Sequence, residues 1–188
     1  MNYSEYLKDK DVVLFGGAKS AKAPEHLENP IVVRTNNHHL WQEPEHYPYT
    51  NIVYFGSNLG GLIATFMNEY PKELAWINQV FGSIIRSSFR TWANFKQVQY
   101  RELKLEGEYP EIHDYVEAPF TGVLAAWDLV RQPIKSLYIT GFDFYKDAPQ
   151  TIVNGYRGEH GIDGNLKAIR EVCADARVQP DGVLQDYV

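Results

Sequence analysis

The stretch from Pro119 to Asp147, PFTGVLAAWDLVRQPIKSLYITGFDFYKD, restricts the fold more than any other part of this chain. Val123, Trp127 and Val130 recur at i, i+4 and i+7, which marks one face of a helix. Pro133 stops that helix. Ser136 to Thr140 then alternates with β-prone side chains and reads as a buried strand. Gly141 to Asp147 follows the carboxyl end of the strand, the edge at which open α/β sheets bind ligands. Thr121 and Gly122 open the helix. Backbone N–H groups there lack intrahelical partners and can meet phosphate or carbonyl oxygens.

Other segments have related forms. Val12 to Phe15 reads as the first strand of a parallel sheet, with a glycine turn at Gly16-Gly17. Ile31 to Arg34 ends in Thr35-Asn36-Asn37, and Ile52 to Phe55 ends in Gly56-Ser57-Asn58. Leu59 to Tyr70 reads as a helix stopped by Pro71, and Ile84 to Phe95 as another. Leu74 to Val80 fits strand or helix, and Val98 to Leu103 alternates like a strand. Residues 1–10 fit a short helix or arm, and Trp41 to Tyr49 a proline-rich aromatic loop. Glu106 to Glu117 is acidic and aromatic; the expectation is a surface loop or lid, with His113 solvated. The order predicts a single Rossmann-like α/β domain over residues 1–188, with a mostly parallel sheet and helices on both faces.

Composition narrows the function. At 188 residues and 44% hydrophobic content the chain can bury a substantial core. A net charge of −6 with no dense basic cluster disfavours nucleic acid as a partner. The lone Cys173 excludes an internal disulfide and a thiolate zinc site, and it falls on an apolar helix face, so a core role is expected. His38 and His39 are adjacent on an extended segment and point to opposite sides, which disfavours a shared metal; one of them is placed to line a donor or acceptor cleft. No signal peptide or membrane-length apolar run is visible, and a soluble cytoplasmic protein is expected. The 13 tyrosines exceed what a core needs; they line a groove or interface, or are ordinary surface residues.

Two further places carry chemistry. Gly16, Gly17 and Ser20 let backbone approach a nucleotide, although they form neither a Gly-x-Gly-x-x-Gly nor a Walker pattern, and an ordinary strand-to-helix turn is the plain alternative. His160 precedes a helix whose apolar positions are Ile162, Leu166, Ile169 and Cys173. The helix dipole lowers a histidine pKa at that end, leaving a neutral imidazole able to act as a base; a histidine that caps or bridges the loop is the simpler reading.

Thr121-Gly122 together with Gly141-Phe142-Asp143-Phe144-Tyr145 resembles the second conserved motif of sialyltransferases in glycosyltransferase families 42 and 29. Phe15-Gly16-Gly17-Ala18-Lys19-Ser20 followed by Val33-Arg34-Thr35-Asn36 resembles their first. The resemblance spans roughly residues 11–177 and implies the sialyltransferase variant of the glycosyltransferase A fold. It implies an inverting, metal-independent transfer from a nucleotide sugar, a CMP-sugar above all, to a glycan or other hydroxyl acceptor. By it, His160 is the general base, and Tyr145, with Tyr156 in place of a second tyrosine, holds the departing phosphate. Gly16, Gly17, Ser20, Asn36, Asn58, Thr121, Gly122, Gly141 and Asp143 bind the nucleotide; no cofactor is implied. The chain departs from the pattern at Gly17, where Asn is usual, at Ala118, where family 42 has Arg, and at Asn165, where the eukaryotic type has Glu. Those departures keep two other readings open. One is a non-catalytic nucleotide-sugar binder on the same fold. The other is a transferase with another nucleotide sugar and an unusual acceptor, such as a modified nucleobase. The chain is short for this family, so the acceptor side is expected to be reduced or supplied by a neighbouring subunit in a homo-oligomer.

Overall fold

In the computed structural model, which describes residues 2–38, 47–56, 60–80, 86–146 and 161–188, the apolar runs become strands. They are β1 (Asp11–Phe15), β2 (Ile31–Thr35), β3 (Ile52–Phe55), β4 (Trp76–Gln79), β5 (Gln99–Glu102), β6 (Ser136–Thr140) and β7 (Val178–Pro180). They form one sheet of order β5-β4-β3-β2-β1-β6-β7, and every pairing is parallel. The segment at Leu74 to Val80 is thus resolved as strand. β7 went unread in the sequence, being three residues long and ending in proline.

The chain steps outward from β1 to β5, then returns to the other side of β1 for β6 and β7. The direction reverses between β1 and β6, and in open α/β sheets such a reversal is where the carboxyl tips of the strands bind ligands.

Both faces of the sheet are covered, which is why its central strands are apolar throughout. Val12, Leu14, Val33, Ile52, Leu137 and Ile139 face one layer. That layer contains α1 (Tyr3–Leu7), α5 (Thr121–Val130) and α6 (Ile162–Cys173). Val53, Phe55 and Ile77 face α2 (Gly60–Asn68) and α3 (Arg86–Phe95) on the other side. Two short elements, α4 (Leu105–Glu108) and a 3₁₀ turn (Pro110–Asp114), follow β5, and α7 (Gly182–Gln185) follows β7.

Three expectations need correction. Glu106 to Glu117 is not a surface loop: Tyr109, Ile112 and Val116 are buried. Their spacing, i, i+3 and i+7, is a helical face, hidden in the sequence by the acidic residues between them. His113 is exposed, as expected. The core face of α6 is rotated from the one read: Asn165, Ala168, Ile169 and Val172 are buried, and Cys173 sits half-buried at its margin with its thiol pKa pushed up to about 11 by burial. The helix α5 buries every residue from Val123 to Val130, not one stripe, because α6 packs against the side that the sheet leaves open.

That complete burial includes Asp128, which is 0% exposed. Its carboxylate accepts hydrogen bonds from the Tyr54 and Tyr109 hydroxyls. Arg101 donates to it at 2.8 and 3.0 Å, and the Gln132 amide at 3.2 Å. Tyr3 bonds Tyr54 at 2.8 Å and accepts from Asn78 at 3.0 Å. Burial, then the Asp128 charge, push the Tyr3 and Tyr54 hydroxyls well above the usual tyrosine range. Part of the tyrosine surplus is therefore neither groove nor surface but the polar anchor of α5.

Candidate active site

The tips of β1 and β6 are tied together. Gly16 donates to the Thr140 carbonyl at 2.8 Å, and Ala18 to the Gly141 carbonyl at 3.1 Å. Phe142 is wedged between this junction and the start of α5. A Cβ on Gly16 would stand 2.2 Å from the Gly141 oxygen and 2.7 Å from Phe142 Cδ2. A Cβ on Gly122 would stand 2.9 Å from Phe142 Cζ. The motif residues Gly16, Gly122 and Gly141-Phe142, far apart in sequence, thus meet around one ring.

Asp181 fixes this junction. Its Oδ2 accepts the Thr140 hydroxyl at 2.7 Å and the Gly141 N–H at 3.0 Å. Its Oδ1 caps α7 by accepting the Leu184 N–H at 2.8 Å. Thr140 Oγ1 in turn accepts the Lys22 N–H at 2.9 Å, which draws the loop after β1 onto β6. Asp181 went unread in the sequence. Its signal is an Asp directly before a short helical run, a cap pattern.

Past Phe142 the chain turns sharply. Phe144 and Tyr145 have φ of 49° and 64°, both left-handed and both without the freedom of glycine. Asp143 Oδ1 accepts the Tyr145 N–H at 3.0 Å and steadies the turn, so that oxygen is engaged locally. The turn brings the Tyr145 ring edge-on to Phe120, 5.3 Å between centroids, beside the first turn of α5. The N-cap residue, Phe120, supplies no side-chain capping bond to that first turn. The N–H of Phe120, just before it, goes to Asn165 Oδ1 at 2.7 Å, and Asn165 Nδ2 donates to the Gly161 carbonyl at 3.1 Å. Asn165 therefore clamps the start of α6 to the start of α5.

At the β2 tip, Asn36 adopts a left-handed φ of 48° and binds both ways to β3 and its tip. Its N–H reaches the Tyr54 carbonyl at 2.8 Å, and its Oδ1 accepts the Gly56 N–H at 2.9 Å. Asn37 is 1% exposed and donates to the Leu62 carbonyl at 3.0 Å. Its Oδ1 is buried with no hydrogen-bond partner among the described residues, as is Ser20 Oγ. Asn37 had no role legible in the sequence. Arg34 lies over the Phe15 ring at 4.7 Å and donates to the Tyr49 carbonyl at 2.8 Å and the Thr50 hydroxyl at 2.6 Å. Burial lowers its pKa to about 10. It organises the chain leading into β3.

Asn58, Tyr156 and His160, and with them His39, lie outside the described residues. Among the described residues, no group of three or more His, Cys, Asp or Glu is placed to hold a metal ion, and no helix is long and apolar enough to cross a membrane. A separate open cleft of about 540 Å³ lies at the opposite, amino edge of β1 and β6, lined by Asp11, His26, Lys135, Ser136 and Gln179 among others. Asp11 there is already engaged by Lys135 at 2.8 Å and Ser136 at 2.6 Å.

No protein-family model matches this chain, and no curated protein matches it in sequence. Solved structures do. The monofunctional α-2,3-sialyltransferase Cst-I from Campylobacter jejuni superposes with a TM-score of 0.60 at 14% identity, over 95% of this chain and 79% of its own. The Campylobacter jejuni sialyltransferase CstII with cytidine-5'-monophosphate gives 0.63 at 13% identity, over 96% and 84%. The CST-II structure with a trisaccharide acceptor and CMP gives 0.63 at 13% identity, over 95% and 85%. The chain has the fold of these enzymes.

Proposed function

We propose that this chain, acting as one domain, is an inverting, metal-independent glycosyltransferase that moves a sugar from a CMP-sugar to an acceptor hydroxyl. The observation that carries the reading is the convergence at the β1–β6 crossing. The Gly16 turn, the Gly141 turn, the first turn of α5 and Tyr145 all meet where the strand order reverses, on the fold of the sialyltransferases that superpose on it.

The donor nucleotide lies across the strand tips. Gly16, Gly17 and Ser20 line it from β1, and Asn36 and Asn58 from β2 and β3. Thr121, Gly122, Gly141 and Asp143 bound it from α5 and β6. Asn36 Oδ1 is committed to Gly56, so its Nδ2 is the group offered to the ligand. His160 takes the proton from the acceptor hydroxyl as that oxygen attacks the anomeric carbon. The bond from that carbon to the phosphate oxygen breaks on the opposite face, and CMP leaves with the electron pair. The Tyr145 hydroxyl, with Tyr156, donates to the departing phosphate, and the amino end of α5 contributes its dipole.

The test is release of CMP from a CMP-sialic acid, with and without an acceptor glycan and with a chelator present. The wild type is expected to turn over regardless of chelator, and His160→Ala to lose about 10²–10⁴-fold in rate. A wild type that binds CMP yet releases none from the donor would establish the non-catalytic binder instead.

A further inference from the structure

We propose that His38 is a phosphate-binding residue of the donor site, held in place by Thr35 and accommodated by the bare α-carbon of Gly17. The inference rests on the nucleotide reading given above and adds a ligand group to it.

Thr35 is the last residue of β2 and is 2% exposed. Its Oγ1 lies 2.9 Å from Nδ1 of His38. The Nδ1–Cε1–Nε2 edge of the imidazole rests on Gly17. A Cβ built there would stand 2.7 Å from Cε1 and 2.9 Å from Nε2. Both distances are below any real contact, so a side chain at position 17 and the imidazole in this place exclude each other. Glycine at the β1 tip and histidine three residues past β2 therefore form one feature. The polar group at this point of the edge comes from β2, not from β1.

The ring is continuous with the rest of the junction. Gly17 follows Gly16, Gly16 abuts Phe142, and Phe142 abuts Gly122 at the start of α5. His38 thus extends the candidate nucleotide surface from the β1–β6 crossing to β2. The Thr35 hydroxyl can donate to Nδ1 or accept from it, and the first case presents a donor to the ligand. When the Thr35 hydroxyl donates to Nδ1, the neutral ring carries its proton on Nε2; the charged ring carries one there too. In these two forms, though not in the neutral ring protonated on Nδ1, Nε2 is a hydrogen-bond donor, and an anionic phosphoryl oxygen selects them.

The test compares CMP with cytidine by calorimetric titration on wild type, His38→Ala and Gly17→Ala, with folding checked by circular dichroism. Removing His38 is expected to weaken CMP roughly tenfold or more and leave cytidine within about twofold, because only CMP carries the phosphate. Gly17→Ala keeps the histidine but displaces its ring, and is expected to reproduce the same selective loss. If His38→Ala weakens both ligands alike, or neither, His38 is not a phosphate ligand and the inference fails while the nucleotide site stands. If the wild type binds neither, the nucleotide reading falls and this inference with it.

Discussion

Gly141→Ala tests the geometry of the β6 tip. Gly141 has a φ of +75°, and a Cβ there would lie 2.7 Å from Ala21 Cβ and 3.2 Å from the Gly16 oxygen. Two costs are separable. A left-handed backbone costs an alanine about 1–2 kcal/mol. Overpacking against Ala21, which is buried, adds about 1–3 kcal/mol. The expected loss is therefore about 2–5 kcal/mol, out of a total stability of about 5–15 kcal/mol. Gly161→Ala is the control: its φ is +64°, but no described atom lies within 4 Å of the added methyl, so only the backbone cost applies. Urea unfolding reads the difference, with a slope of about 2 kcal/mol per molar, so a loss of about 3 kcal/mol lowers the midpoint by about 1.5 M. In a double-mutant cycle, Ala21→Gly with Gly141→Ala is expected to recover about 1–3 kcal/mol relative to the sum of the single changes. If Gly141→Ala costs no more than Gly161→Ala and the cycle is additive, the close approach of the loop after β1 to the β6 tip is refuted.

Asp128→Ala removes the buried partner of Arg101, which keeps Glu108 at 2.8 Å, and the acceptor of two tyrosine hydroxyls, and is expected to cost about 3–5 kcal/mol in urea unfolding; a loss below about 1 kcal/mol would remove Asp128 as the anchor of α5. The same cluster predicts alkaline sensitivity. Unfolded tyrosines ionise near pH 10, whereas burial keeps Tyr3 and Tyr54 protonated in the native state above that pH. The folded state then holds more protons than the unfolded one. The contribution is complete below about pH 10 and is lost as pH rises from there toward the raised native values, at about 1.4 kcal/mol per pH unit for each tyrosine. Unfolding free energy from urea titrations should stay level between about pH 9 and about pH 10 and fall with that slope above about pH 10, less steeply in Tyr54→Phe; a flat profile above about pH 10 in the wild type contradicts the sign.

The parts of this fold that were legible in the sequence share one property: a local pattern agrees with the tertiary outcome. Val12 to Phe15 and Ser136 to Thr140 are apolar, β-prone and closed by glycine, and both became central strands. Thr121 opened α5 where the apolar period began. What escaped notice depends on partners distant in sequence. Asp128 looks like one polar interruption of an apolar helix, and only the meeting of β3, β5 and the Tyr109 segment makes it a buried hub. Asp181 acts across to Thr140 and Gly141, a contact no periodicity encodes. Asn165 was read as a departure from a family pattern, yet it is the residue that clamps Phe120. At the candidate site, the motif spacing named the glycines and Tyr145 that the structure brings near one another, while the pairing of Gly17 with His38 required coordinates.

Everything proposed for this chain depends on a CMP-selective donor site at the β1–β6 crossing. Calorimetric titration with CMP against UMP, GMP and AMP, on wild type and Tyr145→Phe, addresses it most directly. Binding is expected to favour CMP over the other three and to weaken by roughly threefold to tenfold when the Tyr145 hydroxyl is removed. Binding with no preference for CMP, or no nucleotide binding at all, would contradict it.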